Sequence, residues 1–161
     1  MYNAAIKTII VEDEPLASEA IIKSLNDIKV IDMIASFSNA EDAAQFLSNK
    51  DVHLIITDIN LPNISGLDLV ESLVNPPLII VTTADPEYAI NAFNLDIVDY
   101  LLKPISKPRL FKAINKVLRR FKIEDVKIEQ EQDRLEYIFV KSEYKLIKIN
   151  VEDILLSLIH I

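Results

Sequence analysis

Hydrophobic and polar positions along the chain form two alternating kinds of segment. Short continuous apolar runs, rich in isoleucine, leucine and valine, are typical of strands that are buried on both faces. The longer segments between them repeat apolar residues at every third or fourth position, as amphipathic helices do. Because strand and helix patterns alternate strictly through most of the chain, the sequence predicts an α/β fold with helices on both faces of a parallel sheet.

Five strands and five helices can be placed from these patterns. Pro15 sits where the first helix begins, and either Ser38 or Asn39 is suited to cap the second. The predicted strands are Thr8–Val11, Val30–Phe37, Leu54–Asp58, Leu78–Thr82 and Asp99–Leu102. The predicted apolar helix positions are Leu16, Ala20, Ile21, Leu25 and Ile28, then Ala43, Ala44, Phe46 and Leu47, then the segments Leu67–Leu73 and Tyr88–Phe93, and finally Leu110, Ile114, Val117, Leu118 and Phe121.

Polar groups stand where three of these strands end. Glu12-Asp13-Glu14 follows the first strand, Asp58 ends the third, and Lys103-Pro104 follows the fifth. Right-handed crossovers favour the strand order 2-1-3-4-5, which puts the ends of strands 1 and 3 side by side. The sequence therefore predicts one polar pocket at the rim of the sheet, with Asp13 beside Asp58. Such a pocket suits Mg²⁺ and a phosphoryl group.

Each of these residues also has a simpler interpretation when it is taken alone. Asp58 is also suited to a helix N-cap or a turn, and the acidic triplet after the first strand to a solvated loop. Lys103 is equally acceptable as a surface lysine. The joint spacing of the three groups favours the pocket over these alternatives. His53 and His160 lack metal-ligand partners in the sequence and are interpreted as structural or exposed.

Composition narrows the class of protein. The 161 residues suffice for one full domain and part of a second, and the absence of cysteine excludes disulfides, thiolate zinc sites and cysteine nucleophiles. No signal pattern or membrane-length apolar stretch occurs, so a cytoplasmic location without a membrane partner is expected. The net charge of −8 argues against nonspecific nucleic-acid binding. Residues 107–122 alone sum to +7, which predicts either a solvated helix face or a contact surface for a partner or DNA.

Taken together, the motifs resemble the receiver domain of bacterial two-component response regulators, and the LytTR subclass in particular. The resemblance rests on Glu12-Asp13, Asp58 with Pro62 and Gly66, Thr83-Ala84, and Lys103-Pro104, and the segment from Asp99 to Pro104 adds the subclass. It implies a flavodoxin-like (βα)5 receiver at 6–122 with sheet order 2-1-3-4-5, a linker at 123–134, and a short β-rich fragment at 135–161. The fragment, with Tyr137–Ser142 and Lys148–Leu155, resembles the opening strands of a truncated LytTR DNA-binding domain.

The resemblance also implies a role for each site residue. Asp58 is the expected phosphoacceptor. Mg²⁺ would be held by Asp13, Asp58 and the backbone carbonyl of Asn60, with Glu12 acting through water. Thr83, the Ala84 N–H and Lys103 would contact the phosphate, although Thr82 competes for the role of Thr83. Structural roles fall to Pro62, to Pro104 after a cis Lys103-Pro104 bond, and to Gly66, the only glycine, which is suited to a positive φ.

Output and partners follow from the same resemblance. Thr83 and Tyr100 are the expected switch pair, with Tyr100 as plain core filler the alternative. The expected donor is a cognate sensor histidine kinase. Phosphorylation is expected to favour a homodimer through the fourth helix, Tyr88–Phe93, the fifth strand and the fifth helix. DNA binding is expected only of the full-length parent, and slow autodephosphorylation does not make the chain a conventional enzyme.

Two other classes of protein compete with this interpretation. A phosphatase of the haloacid dehalogenase type also uses an aspartate at a strand end, but it needs a second acid two residues later, where this chain has Asn60. A pseudo-receiver would be an interaction module that never accepts phosphate. The intact set of Asp13, Asp58, Thr83 and Lys103 argues against it. A nucleotide-binding loop is excluded because the chain has one glycine.

Overall fold

The computed structural model of the chain describes residues 5–88, 95–133, 137–142 and 145–150, with side chains as far as Lys122. Backbone contacts divide the chain into two compact units, residues 1–117 and residues 118–161. The predicted helix Tyr88–Phe93 falls almost entirely outside the described residues, as does His160. Within the described ranges, no helix is long and apolar enough to cross a membrane.

The first unit contains a five-stranded parallel sheet in the predicted order. Its strands are β1 (Ile6–Val11), β2 (Ile31–Phe37), β3 (Leu54–Asp58), β4 (Leu78–Thr83) and β5 (Asp99–Leu102), arranged as β2-β1-β3-β4-β5. All residues of β3 and β4 are buried, as expected for central strands with helices on both faces. The flavodoxin-like α/β fold predicted from the alternation of patterns is therefore confirmed.

Four helices are described, and local side chains start two of them. They are α1 (Pro15–Asn26), α2 (Ala40–Asn49), α3 (Gly66–Ser72) and α4 (Lys107–Asp133). The Asn39 side chain caps α2 by accepting a hydrogen bond of 2.8 Å from the Asp42 N–H, which decides between Ser38 and Asn39. Ser65 caps α3 in the same way through the Asp68 N–H.

The predicted apolar face of α1 is partly wrong. Ile21 and Leu25 are buried as predicted, but Leu16 is 82% exposed and Ala20 is also exposed. The half-buried Ala17 takes the inward position instead of Leu16. The pattern could not separate these neighbours, because adjacent apolar residues fit a helical period almost equally well and only packing against the sheet chooses between them.

The C-terminal part of α4 covers most of the linker predicted at residues 123–134, whose role as a linker stays a prediction. The helix continues through Asp133, so most of that segment is helical. Its Glu, Lys and Gln residues have good helix propensity, whereas the prediction used only its lack of apolar residues. Beyond it, β6 (Tyr137–Ser142) and β7 (Lys145–Asn150) form an antiparallel pair. The assignment of this pair to a DNA-binding domain stays a prediction.

Candidate functional site

Three strand ends converge at the carboxyl edge of the sheet. The Lys103 ammonium, just after β5, lies 2.8 Å from Asp58 Oδ2 at the end of β3. It also lies 2.5 Å from Glu12 Oε1, which directly follows β1. Because the carboxyl ends of parallel strands share one edge, residues 91 positions apart meet in a single site. The structure therefore brings together Glu12, Asp58 and Lys103 as the strand order predicted.

Three acidic side chains form a group that could hold a metal ion. Glu12, Asp13 and Asp58 each offer one carboxylate oxygen, and these oxygens lie within 4.8 Å of one another. Glu12 and Asp58 are only 4% and 5% exposed, whereas Asp13 is open to solvent. Carboxylate oxygens at this spacing repel one another, and a hard divalent cation would relieve that repulsion.

Glu12 carries the clearest sign of an incomplete environment. Among the residues that the structure describes, its buried Oε2 atom has no hydrogen-bond partner. Burial, together with the nearby Asp58 carboxyl, raises the pKa of Glu12 to about 7, despite the opposing effect of Lys103. A buried carboxylate oxygen without a partner is costly, so the donor set fits a cation that directly or through water would complete it.

Lys103 supplies positive charge at the same place. Burial by itself would lower the pKa of Lys103, but hydrogen bonds to Asp58 and Glu12 outweigh that effect and raise it above the ordinary value. The side chain is therefore a fixed ammonium with only 19% of its surface exposed. An ammonium in this position can pair with a carboxylate or with a phosphoryl oxygen that approaches Asp58.

A cavity of about 680 Å³ opens over Asp58. Six of the predicted site residues line it, namely Asp13, Asp58, Asn60, Ala84, Lys103 and Pro104. The buried Glu12 and Thr83 are not in its wall. Apolar side chains also line it, namely Ala17, Ala20 and Ile21 of α1, Ile105 of the turn before α4, and Leu110 of α4. The cavity is large enough for a phosphoryl group and for part of its donor.

The Thr83 hydroxyl is hydrogen-bonded to the backbone of Asp85. Its oxygen donates a hydrogen bond of 3.2 Å to the Asp85 carbonyl and accepts one of 3.0 Å from the Asp85 N–H. The competing Thr82 is paired with Asp58 across β3 and β4, and its carbonyl accepts a hydrogen bond from Ile59. The choice between the two threonines as phosphate donor therefore stays a prediction.

Gly66 allows a close approach of the backbone. Its φ is not positive, so the simpler interpretation of Gly66 as a residue that permits a left-handed turn is wrong. A Cβ atom on Gly66 would instead stand 2.0 Å from the Asp58 carbonyl oxygen and 2.8 Å from Thr57 Oγ1. The positive φ in this loop belongs to Asn63, at 67°. Gly66 thus permits α3 to pack directly against the backbone of the candidate phosphoacceptor.

The loop after β3 is hydrogen-bonded to the Asp58 carboxylate. The Asn60 N–H donates a hydrogen bond of 3.1 Å to Asp58 Oδ1, and the Pro62 carbonyl accepts one of 2.8 Å from Ile64. The Lys103-Pro104 bond is cis, as the resemblance implied. The loop after β3 and the Lys103-Pro104 turn after β5 therefore both border the site.

A second ionic cluster was missed by the sequence reasoning. Asp99, at the start of β5, accepts two hydrogen bonds from Arg109, at 2.7 and 2.8 Å, and pairs with Lys116 at 3.1 Å. Arg109 also donates to the Tyr100 carbonyl across 3.0 Å. Tyr100 itself is half-buried and packs against the core. Only the seven-residue spacing of Arg109 and Lys116, two turns apart on one helix face, could have suggested a shared acidic partner.

His53 is a structural residue, as interpreted from the sequence. Its Nδ1 atom accepts a hydrogen bond of 3.0 Å from the Lys7 N–H, and its Nε2 atom lies 3.6 Å from Asp51. These contacts join β1 to the start of β3, at the end of the sheet away from Asp58. The histidine therefore takes no part in the acidic site.

Comparison with known proteins agrees with this geometry. The family described as the response regulator receiver domain matches residues 8–115. Sensory transduction protein LytR of Staphylococcus haemolyticus is 40% identical over 115 residues, covering 70% of this chain and 45% of that protein. Transcriptional regulatory protein LytR of Staphylococcus aureus is 35% identical over 115 residues, covering 70% of this chain and 47% of that protein. The chain thus matches less than half the length of these relatives.

A solved structure of a response regulatory domain has the same fold as this chain. The response regulatory domain of protein mrkE from Klebsiella pneumoniae superposes with a TM-score of 0.67 at 33% identity, covering 72% of this chain and 98% of that domain. The LytR relatives are consistent with the LytTR subclass inferred from the sequence. The chain belongs to the response regulator receiver domain family and carries the receiver of a two-component response regulator.

Proposed function

We propose that Asp58 accepts a phosphoryl group from a histidine kinase in a Mg²⁺-dependent reaction. The single observation that carries this proposal is the meeting of Glu12, Asp13, Asp58 and Lys103 at one edge of the sheet, beside a cavity. Asp13, Asp58 and the Asn60 carbonyl would hold the cation directly, and Glu12 would act through water. The orphaned Glu12 Oε2 atom supports this donor set.

The chemistry is a transfer between a nitrogen and an oxygen. One Asp58 carboxylate oxygen forms a bond to phosphorus while the phosphorus–nitrogen bond of the donor phosphohistidine breaks, and the imidazole leaves with the electron pair of that bond. The bound cation would offset negative charge on the carboxylates and phosphoryl oxygens. Later attack of water on the same phosphorus would return free phosphate and the Asp58 carboxylate, as slow autodephosphorylation.

The residues around Asp58 are suited to bind the transferred group. Lys103 already carries a fixed positive charge beside Asp58 Oδ2 and can pair with a phosphoryl oxygen. Ala84 lines the same cavity, and its N–H is the proposed further donor. Thr83 would have to exchange its hydrogen bonds to Asp85 for one to the phosphate. That exchange is the proposed first event of the switch, with Tyr100 moving in response.

The output is also part of the proposal. Leu102 on β5 is 50% exposed and Phe111 on α4 is 38% exposed, which supports a homodimer that forms on phosphorylation through β5, α4 and the predicted Tyr88–Phe93 helix. The LytR relatives are named as regulators, which supports DNA binding and transcription control by a full-length parent. A cytoplasmic location, which the sequence led us to expect, is part of the same proposal.

Incubation with acetyl phosphate and Mg²⁺, followed by intact-mass measurement, tests the phosphoacceptor. The wild-type chain should gain the mass of one phosphoryl group, and Asp58→Asn should gain none. Omitting Mg²⁺ or adding a chelator should reduce the wild-type gain to near background. An equal gain by Asp58→Asn would assign the phosphoryl group to another residue, and no gain by the wild type under any donor would support the pseudo-receiver alternative.

A further inference from the structure

A buried hydroxyl contacts the backbone of the candidate phosphoacceptor. Thr57 directly precedes Asp58, is fully buried, and donates a hydrogen bond of 3.0 Å from Oγ1 to the Asp58 carbonyl oxygen. A Cβ atom on Gly66 would stand 2.8 Å from the same hydroxyl oxygen. The Asp58 carbonyl is therefore bonded to a side-chain donor and packed closely against the start of α3.

The hydrogen bonds of the next two peptide groups complete a rigid turn. The Ile59 N–H donates to the Thr82 carbonyl at 3.0 Å, and the Ile59 carbonyl accepts from the Gly66 N–H at 2.9 Å. The Asn60 N–H donates to Asp58 Oδ1 at 3.1 Å. With the Thr57 bond included, every polar backbone group between the Asp58 carbonyl and the Asn60 N–H has a partner. This turn sets where the Asn60 carbonyl stands relative to the Asp58 carboxylate.

We propose that Thr57 is a positioning residue for the cation and phosphoryl site, acting through the Asp58 carbonyl. The inference rests on the proposed function, because it concerns the two groups, Asp58 and the Asn60 carbonyl, that would share one cation. Without the Thr57 hydroxyl, the Asp58–Ile59 peptide keeps only the Ile59 N–H bond to the Thr82 carbonyl, so its orientation, and with it the position of the Asn60 carbonyl relative to the carboxylate, is less tightly fixed. Groups that orient metal ligands typically contribute about tenfold or more to metal affinity.

The chain offers a matched control in Thr8. This residue is also a fully buried strand threonine, and its Oγ1 atom donates a hydrogen bond of 2.9 Å to the Ile6 carbonyl. It is the third of the six residues of β1, whereas Glu12 and Asp13 follow the end of that strand. Thr8→Val therefore removes the same kind of hydrogen bond without touching the site. A purely structural role of Thr57 predicts the same behaviour for Thr57→Val and Thr8→Val.

The experiment is a calorimetric titration of the full chain with Mg²⁺ alone, combined with the initial rate of phosphorylation by acetyl phosphate. We expect Thr57→Val to bind Mg²⁺ about tenfold more weakly and to be phosphorylated more slowly at a fixed Mg²⁺ concentration. Thr57→Ser, which keeps the hydroxyl, and Thr8→Val should both bind as the wild type does. Thermal unfolding without Mg²⁺ should show similar losses for Thr57→Val and Thr8→Val.

The outcomes separate this inference from the proposed function. Equal Mg²⁺ affinity for Thr57→Val and Thr8→Val overturns the positioning role, whether or not the wild type accepts phosphate. Weaker Mg²⁺ binding by Thr57→Val alone supports the role even if the wild type is never phosphorylated, an outcome in which only the proposed function fails. If Thr57→Val does not fold, Thr57→Ala removes the same donor with a smaller side chain and takes its place.

Discussion

The Lys103 ammonium lies 2.8 Å from Asp58 Oδ2, although 45 positions separate the two residues along the chain. The same ammonium donates a hydrogen bond to Glu12. Lys103 therefore offsets part of the charge of two carboxylates that have little access to water. Folding stability and cation binding are coupled through Lys103. Its ammonium stabilises the two carboxylates, and it also repels a cation that approaches them.

Replacing Lys103 should destabilise the chain in a manner that depends on Mg²⁺. Lys103→Met leaves Glu12 and Asp58 without their counter-ion, so we expect the free energy of unfolding to fall by about 3 kcal/mol in the presence of a chelator. Mg²⁺ should restore part of this loss because it supplies positive charge to the same oxygens. Urea denaturation with and without Mg²⁺ measures both effects.

The exposed Lys112 on α4 provides the control for this substitution. Lys112→Met should change the free energy of unfolding by less than about 0.5 kcal/mol. If Lys103→Met and Lys112→Met were equally stable in chelator, the ion pairs of Lys103 would not contribute to folding.

Gly66→Ala tests the close approach of α3 to Asp58. Helix propensity alone predicts that alanine stabilises the first turn of α3 by up to about 1 kcal/mol. The contact of 2.0 Å between the added Cβ and the Asp58 carbonyl oxygen predicts the opposite sign, a loss of about 2 to 3 kcal/mol. Thermal or urea unfolding measures the sign directly. A stabilised variant would show that the loop can relax without cost.

The ion pairs of Asp99 with Arg109 and Lys116 should make the free energy of unfolding depend on pH in the acidic range. Burial alone would raise the pKa of Asp99, but hydrogen bonds from Arg109 and Lys116 lower it below its ordinary value. The folded state therefore binds this proton more weakly than the unfolded state does. The resulting stabilisation is fully present above about pH 4, the ordinary carboxyl value, and is lost as the pH falls through the lower folded-state pKa.

Asp99→Asn should accordingly lower the free energy of unfolding by about 2 kcal/mol at pH 7. The difference in this free energy between wild type and variant should shrink below about pH 4. Urea denaturation at a series of pH values measures the difference. Asp32→Asn, at an exposed position on the edge strand β2, is the control and should show almost no cost at any pH. A difference between wild type and Asp99→Asn that stays constant down to pH 3 would contradict the ionic origin of the effect.

Tyr100→Ala should uncouple phosphorylation from dimerisation. The half-buried ring packs against the core, and the variant removes the group that is proposed to move when Thr83 turns towards phosphate. We expect normal phosphorylation by acetyl phosphate but a reduced dimer fraction in sedimentation velocity. Tyr100→Phe keeps the ring and should dimerise as the wild type does. Equal dimer fractions for phosphorylated wild type and Tyr100→Ala would remove Tyr100 from the switch.

The sheet could be predicted because its central strands, β3 and β4, are buried on both faces. β3 and β5 have the predicted bounds, Leu54–Asp58 and Asp99–Leu102. The polar Asp58 marks the end of the first run, and Lys103-Pro104 follows the second. Strand order followed from the handedness of crossovers, and it placed Asp58 beside the end of β1. The site could therefore be predicted from residues at strand ends without any knowledge of side-chain contacts.

Features that depend on packing could not be predicted in this way. Leu16 is exposed because of the way α1 is rotated about its axis against the sheet. The periodicity of apolar residues in α1 does not determine that rotation more finely than one residue. The role of Gly66 required the distance from its missing Cβ atom to the Asp58 carbonyl. The Asp99–Arg109 pair joins a strand to a helix, and the motif that includes Asp99 does not indicate a basic partner on α4. Each of these features depends on a distance between parts of the chain that are brought together only by folding. The local sequence pattern does not fix that distance.

The most direct test of the account is whether one cation site unites Asp13 and Asp58. Calorimetric titration with Mg²⁺ at pH 7 should give a single site in the wild-type chain, with strongly weakened binding in both Asp13→Asn and Asp58→Asn. Glu41→Gln, at an exposed acid in α2, should bind Mg²⁺ as the wild type does. Binding that persists unchanged in both aspartate variants would contradict the account, because the carboxylates that meet at this edge of the sheet would then hold no shared ion.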